Sequence, residues 1–181
     1  YAYYKARRVC KMFKRQERLP VHYNTTTNFG EMNFCKFSLS HKYLKHLRKL
    51  LYPQDRKYFS RRVLNYLTPE GIALWYMDDG YVSKRKNNTS ECYVSEMRLA
   101  TFCSLEEVDS IISYFEEVWG IVPKKRFHKK SSSYYLAFAR GESERLEEII
   151  SPFILPSMKY KLPSYYDPRV LVPSTEGEDI V

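Results

Sequence analysis

The sequence predicts an α+β chain: a complete αββαββα half over residues 67–163, preceded by a partial αββα half over residues 1–66 and followed by a tail, 164–181. Three observations carry this. Five segments place apolar residues at helical spacing, and three pairs of β-rich runs are joined by polar turns. The α-β-β-α order of residues 3–51 also matches the last four elements of 68–155, as an internal duplication missing its first part would.

Tyr3 to Leu19 reads as an amphipathic helix, with Tyr4, Val9, Met12 and Phe13 against a basic opposite side, and Pro20 ends it. Val21–Thr27 and Glu31–Leu39 are strands joined through Asn28-Phe29-Gly30. Ser40 is the expected cap of a helix from His41 to about Leu51. Thr68, Pro69 and Glu70 open a third helix, whose body, Ile72-Ala-Leu-Trp-Tyr-Met77, leaves almost no polar side and should be covered on most sides. Asp78 and Asp79 close it, with Gly80 as the expected left-handed cap. A strand from Tyr81, a turn at Lys84–Ser90 and a strand from Glu91 to Phe102 follow. Ser104, with Glu106 and Glu107 in the first turn, starts a helix that Gly120 ends. Val122–His128 and Tyr134–Arg140 form a hairpin around Lys129–Ser133. Glu142–Ile150 is the last helix, and prolines 152, 156 and 163 punctuate the rest.

Charge is unevenly spread. Residues 1–66 carry 16 Lys and Arg against 3 acids, a balance of +13, whereas the remainder holds 14 against 18. That asymmetry points to a polyanion-binding surface, and the 17 tyrosines add rings and hydroxyls suited to bases and phosphates. A solvated basic face over core tyrosines is the plainer alternative. No apolar run approaches the roughly 20 residues of a membrane span, and no membrane partner is expected. Four cysteines without CxxC spacing favour a reducing, intracellular setting over a disulfide framework.

The Asp78-Asp79 pair is the chemical signal. A helix dipole disfavours negative charge at the C-terminal end, so carboxylates there suggest a compensating divalent cation. The competing reading is a solvated helix end.

The segments Leu67-Thr-Pro69, Ile72-Ala-Leu-Trp-Tyr-Met-Asp-Asp-Gly80 and Met158-Lys-Tyr-Lys-Leu-Pro163, in this order with two hairpins between, resemble the LAGLIDADG homing endonucleases of the LTP…YWFMDDG…YKLP branch. The resemblance implies paired halves whose antiparallel sheets form a DNA-binding saddle, with the motif helices side by side. It implies a site-specific double-strand DNA endonuclease using Mg²⁺ or another divalent cation. Asp79 matches the metal ligand and Asp78 a neighbouring acid. Lys57 and Lys161 match basic active-site positions, where phosphate contact without catalysis is an open alternative. Candidate DNA contacts are His22, Asn24, Thr25, Thr27, Asn28 and Lys36 in the first half. In the second half they are Tyr81, Ser83, Lys84, Arg85, Lys86, Asn87 and Asn88 on one hairpin, and Lys124, Arg126, His128, Lys129 and Lys130 on the other. Strand alternation sends only every second side chain toward DNA, so about half of these should drop out.

The first 66 residues contain no earlier acidic helix. An upstream segment or a second chain is therefore expected to supply the opposing carboxylate. Failing that, the protein is a non-catalytic RNA- or DNA-binding relative, such as an intron maturase gripping intron RNA. The expected compartment is an organelle or another DNA-containing one.

Overall fold

The computed structural model describes residues 1–14, 20–27, 30–86 and 92–166. The chain divides into two compact units, Tyr1–Arg56 and Lys57–Val181.

The first unit is α1 (Ala2–Met12), β1 (Val21–Thr27), β2 (Gly30–Lys36) and α2 (Leu44–Leu51), followed by a 3-10 turn at Pro53–Asp55. The αββα order is as expected, with shorter elements. Helix α1 stops at Met12, and Lys14 takes a left-handed φ of 51°. Its expected continuation to Leu19 lies outside the described residues. Only Ala6 and Cys10 of α1 are buried. Ser40 does not cap α2, which starts after Tyr43 without a side-chain cap. The His41 ring stands in that place, with Nδ1 accepting from the Tyr43 amide at 3.3 Å. Strands β1 and β2 pair antiparallel from Val21↔Lys36 to Thr27↔Gly30.

The second unit begins with a short helix, α3 (Arg61–Leu64), that periodicity does not reveal; Ser60 caps it, accepting from the Val63 amide. Helix α4 (Pro69–Asp79) is capped as expected, with Thr68 Oγ1 accepting from the Gly71 amide at 3.1 Å. Only one stripe of α4, Ile72, Ala73, Tyr76 and Met77, is buried, while Gly71, Leu74 and Trp75 are half-buried and Asp78 is exposed. The body Ile72–Met77 thus has no exposed residue, in keeping with the expectation of a helix covered on most sides.

The expectation for Gly80 is corrected. Its φ of −92° and ψ of 154° are extended, and it is the first residue of β3 (Gly80–Lys86) rather than a left-handed cap. Glycine is needed for room: a Cβ there would collide with the Tyr76 ring and carbonyl. The helix therefore passes into the strand with no intervening residue.

Strands β3, β4 (Cys92–Cys103), β5 (Lys124–His128) and β6 (Ser133–Phe138) form one antiparallel sheet in the order β3-β4-β6-β5. Helices α5 (Leu105–Trp119) and α6 (Arg140–Ile150) pack with α4 against the side carrying Met97, Leu99, Leu136 and Phe138, all fully buried. Helix α5 starts with a complete capping box, Ser104 and Glu107, and ends at Gly120 with φ 64°, both as the sequence indicates. Buried Glu107 accepts from the Ser104 amide at 3.0 Å and also from the Phe59 amide at 3.4 Å. It thus ties the segment before α3 to α5. Ser143 closes a similar joint, accepting from the Met97 amide at 2.9 Å and donating to the Phe138 carbonyl at 2.7 Å. Short 3-10 turns at Pro156–Lys161 and Pro163–Tyr166 bring the end of the described chain back to α4.

Candidate functional site

The acidic end of α4 and residue Lys161 come together. Lys161 Nζ donates to the Met77 carbonyl at 2.6 Å and reaches the Asp78 carbonyl at 3.4 Å, so it satisfies backbone acceptors that a helix end leaves open. The Tyr76 hydroxyl donates back to the Lys161 carbonyl at 2.8 Å. Burial lowers the pKa of the Lys161 ammonium below its ordinary value, and the carboxylates of Asp78 and Asp79 pull it back up. Asp78 is exposed and Asp79 half-buried.

Lys57 is linked to α4 by aromatic rings instead. Its Nζ lies 4.6 Å from the Phe59 centroid, and Phe59 stacks on Trp75 at 5.1 Å and 13°. The Trp75 indole N–H is buried without a hydrogen-bond partner among the described residues.

Two hard carboxylates on adjacent residues suit an Mg²⁺-like ion, which keeps most of its waters and needs only one or two protein oxygens. They do not suit a closed protein cage: among the described residues no three His, Cys, Asp or Glu side chains gather to hold a metal. Asp78 and Asp79 thus fit as part of a shared site.

The register sorts the hairpin candidates. Tyr81 pairs with Arg98, Arg98 with Ala137, and Ala137 with Lys124. Ser83 pairs with Glu96, Tyr135 with Ala100 and Arg126, and His128 with Ser133. These residues share the sheet face opposite the helices, so Tyr81, Ser83, Lys124, Arg126 and His128 stand together. Every residue of β5 is exposed. His128 Nδ1 lies 2.8 Å from Ser131 Oγ at the tip of the hairpin, and Lys129 is exposed beside it.

Lys84 stands apart from that row. The pairing shifts between Ser83 and Lys84, and Lys84 Nζ lies 3.6 Å from the Tyr166 centroid. Candidates Asn28, Asn87 and Asn88 lie outside the described residues, as do the side chains of Thr27, Arg85, Lys86 and Lys130.

In the first unit the candidates divide between two faces. His22 and Asn24 alternate with Thr25, and Lys36 pairs with Val21 on the Thr25 side. His22 is engaged with the helix: its Nε2 is 3.0 Å from the Tyr3 hydroxyl and 3.7 Å from Cys35 Sγ.

Sequence reasoning missed Arg98, Glu96 and Tyr135 on the open sheet face. Arg98 Nε donates to Glu96 at 2.6 Å, and its guanidinium lies 5.9 Å from the Tyr81 centroid and 5.4 Å from that of Tyr135. The alternation of Glu96 and Arg98 with buried Met97 and Leu99 was the available signal.

Comparison with known proteins matches residues 1–146 to the model of the LAGLIDADG DNA endonuclease family. A protein named RecA from Mycolicibacterium flavescens is 29% identical over 147 residues, covering 78% of this chain and 34% of that protein. Cytochrome b mRNA maturase bI2 of Saccharomyces cerevisiae is 32% identical over 103 residues, covering 56% of this chain and 22% of that one. The chain thus spans about a third or less of the length of these curated relatives. A solved structure of the homing endonuclease I-WcaI bound to its DNA recognition sequence superposes with a TM-score of 0.73. That match covers 88% of this chain and 71% of the other at 21% identity, which establishes a shared fold.

Proposed function

The chain belongs to the LAGLIDADG DNA endonuclease family, and from that membership we propose that it is a site-specific homing endonuclease that cuts double-stranded DNA with the help of Mg²⁺ or a similar ion. The observation that carries this reading is the passage of α4 into β3 at Asp79–Gly80, which puts the acidic helix end at the start of the strand that bears Tyr81 and Ser83. One element therefore holds a carboxylate at the margin of the face that would grip the duplex. Lys124, Arg126 and Lys129 neutralise phosphates there. Tyr81 and Ser83 face the same groove, which admits a two-stranded ribbon.

Asp79 is the ligand and Asp78 the neighbouring acid. When bound, the ion would lower the pKa of an attacking water and stabilise the leaving oxygen of the phosphodiester. Lys161, anchored on the α4 backbone, sets positive charge beside both carboxylates and can stabilise charge building on the scissile phosphate. Lys57, held over Phe59, is the second such cation. A second acidic helix, from a neighbouring segment or another chain, completes the site. The half-buried Leu74–Trp75 side of α4 is where it would pack. An intracellular, reducing compartment containing DNA fits the thiols of Cys10, Cys35 and Cys103, none of them in a disulfide.

The test is cleavage of a duplex library by the protein, together with its native flanking sequence, with Mg²⁺ and with EDTA. Sequence-specific cutting in Mg²⁺ alone, abolished by Asp79→Asn with duplex binding intact, is expected. No metal-dependent cutting of any duplex would sink the enzyme reading. The similarity to a cytochrome b mRNA maturase supports a second reading, an RNA-binding relative without cleavage. In that case Asp79→Asn leaves function unchanged, and folded intron RNA competes with duplex DNA for the same basic face.

A further inference from the structure

On a surface built to receive a polyanion, a carboxylate is out of place unless it has a task. Glu96 is such a carboxylate, lying on the sheet face with Tyr81, Lys124 and Arg126. Its side chain is only 12% exposed and its partner Arg98 24% exposed, with Nη2 at 2.5 Å from Oε1. An arginine meant to neutralise a phosphate would lose most of that attraction to a carboxylate so close. Lys124 and Arg126, fully outside this pair and exposed, are better suited to that work.

The pair has a different geometric property. Glu96 takes the Nε–Nη2 edge of the guanidinium, and the rings of Tyr81 and Tyr135 flank it at 5.9 and 5.4 Å. The arginine is thereby held in one orientation before any ligand arrives, which removes most of the entropy cost of fixing so flexible a side chain. Its terminal edge, Nη1 with the second hydrogen of Nη2, is not used by Glu96, and the Tyr81 hydroxyl is the guanidinium's other hydrogen-bond partner, one that an incoming base edge would displace. Two parallel N–H groups at that spacing match O6 and N7 of guanine in the major groove. The pairing also places Arg98 on an interior strand, next to both Tyr81 and the β6 row.

We infer that Arg98 is a sequence-reading residue that donates this edge to a guanine of the bound duplex, with Glu96 as its positioning residue. The inference rests on the proposed use of this sheet face for duplex DNA.

The experiment is selection of bound sequences from a randomised duplex library by the full chain, followed by affinity measurements on single-base variants of the selected site. The wild type, Arg98→Lys, Arg98→Ala, Glu96→Gln and, as a phosphate-contact control, Lys124→Ala are compared. Arg98→Ala and Arg98→Lys should lose about tenfold discrimination at one G·C pair and keep it elsewhere. Glu96→Gln should weaken discrimination at that same pair, and Lys124→Ala should lower affinity evenly across sequences. Circular dichroism melting identifies any variant that fails to fold, and Arg98→Lys carries the test if Arg98→Ala does. Duplex binding with an unchanged base preference in Arg98→Lys overturns this inference and leaves the function standing. A wild type that binds no duplex, or prefers RNA, overturns both.

Discussion

Tyr76 and Lys161 bind each other's chain in opposite directions: the Tyr76 hydroxyl donates to the Lys161 carbonyl, and the Lys161 ammonium donates to the Met77 carbonyl next to Tyr76. Eighty-five residues apart in sequence, they close a clamp around the acidic end of α4. Lys161 therefore has a structural task alongside any part in catalysis.

Breaking either half should be measurable. Lys161→Met keeps the apolar stem but leaves the carbonyls of Met77 and Asp78 without their ammonium donor, and should cost about 1–3 kcal/mol. Tyr76→Phe should cost about 1 kcal/mol. Because both changes open one clamp, the double variant should lose less than the sum, in urea unfolding at neutral pH.

The same tyrosine sets an alkaline limit. Burial raises the Tyr76 phenol well above its ordinary value, helped by Glu147 and Tyr166. In the unfolded chain it ionises near pH 10, while the folded protein keeps its proton. The unfolded state then binds fewer protons, so stability falls as pH rises above about 10. Tyr76→Phe should flatten that fall, narrowing its deficit against the wild type between pH 9 and about pH 11. Parallel curves for the two proteins would refute this.

Gly80→Ala should destabilise by about 1–3 kcal/mol, since its methyl group meets the Tyr76 ring and backbone, and the ring is fully buried. Thermal melting gives the value. Gly120→Ala also loses stability, through its positive φ alone, and its loss should be about 1 kcal/mol.

Removing Lys124 or Arg126 should reduce duplex affinity without altering sequence preference. Each should lower the slope of log affinity against log salt by about one. A salt titration of binding checks it. An unchanged slope would show that β5 lies off the duplex.

Several helix ends were legible because their signals are local. Thr68, Ser104 with Glu107, and Gly120 each act on backbone within a few residues, and all three act as their spacing indicates. Hairpin pairing was legible from alternation. What escaped were features decided by distant chain. Gly80 has the composition of a left-handed cap, but the strand that follows and the Tyr76 ring beneath it select an extended backbone. Ser40 yields to the ring of His41. Lys161 finds its acceptors on a helix 84 residues earlier. Lys84 was grouped with Tyr81 and Ser83 as part of one basic hairpin, whereas strand alternation turns it to the other face, where its ammonium lies over the Tyr166 ring.

The absence of any linking residue between Asp79 and Gly80 has a mechanical consequence. A loop at that junction would let the acid drift relative to the strands; a direct passage leaves no linking residue to absorb such movement. The offset between the carboxylate and the side chains of β3 and β4 is then a fixed gauge. In the proposed function, exchanging side chains along those strands would change which bases are favoured while the scissile bond stays the same number of base pairs away.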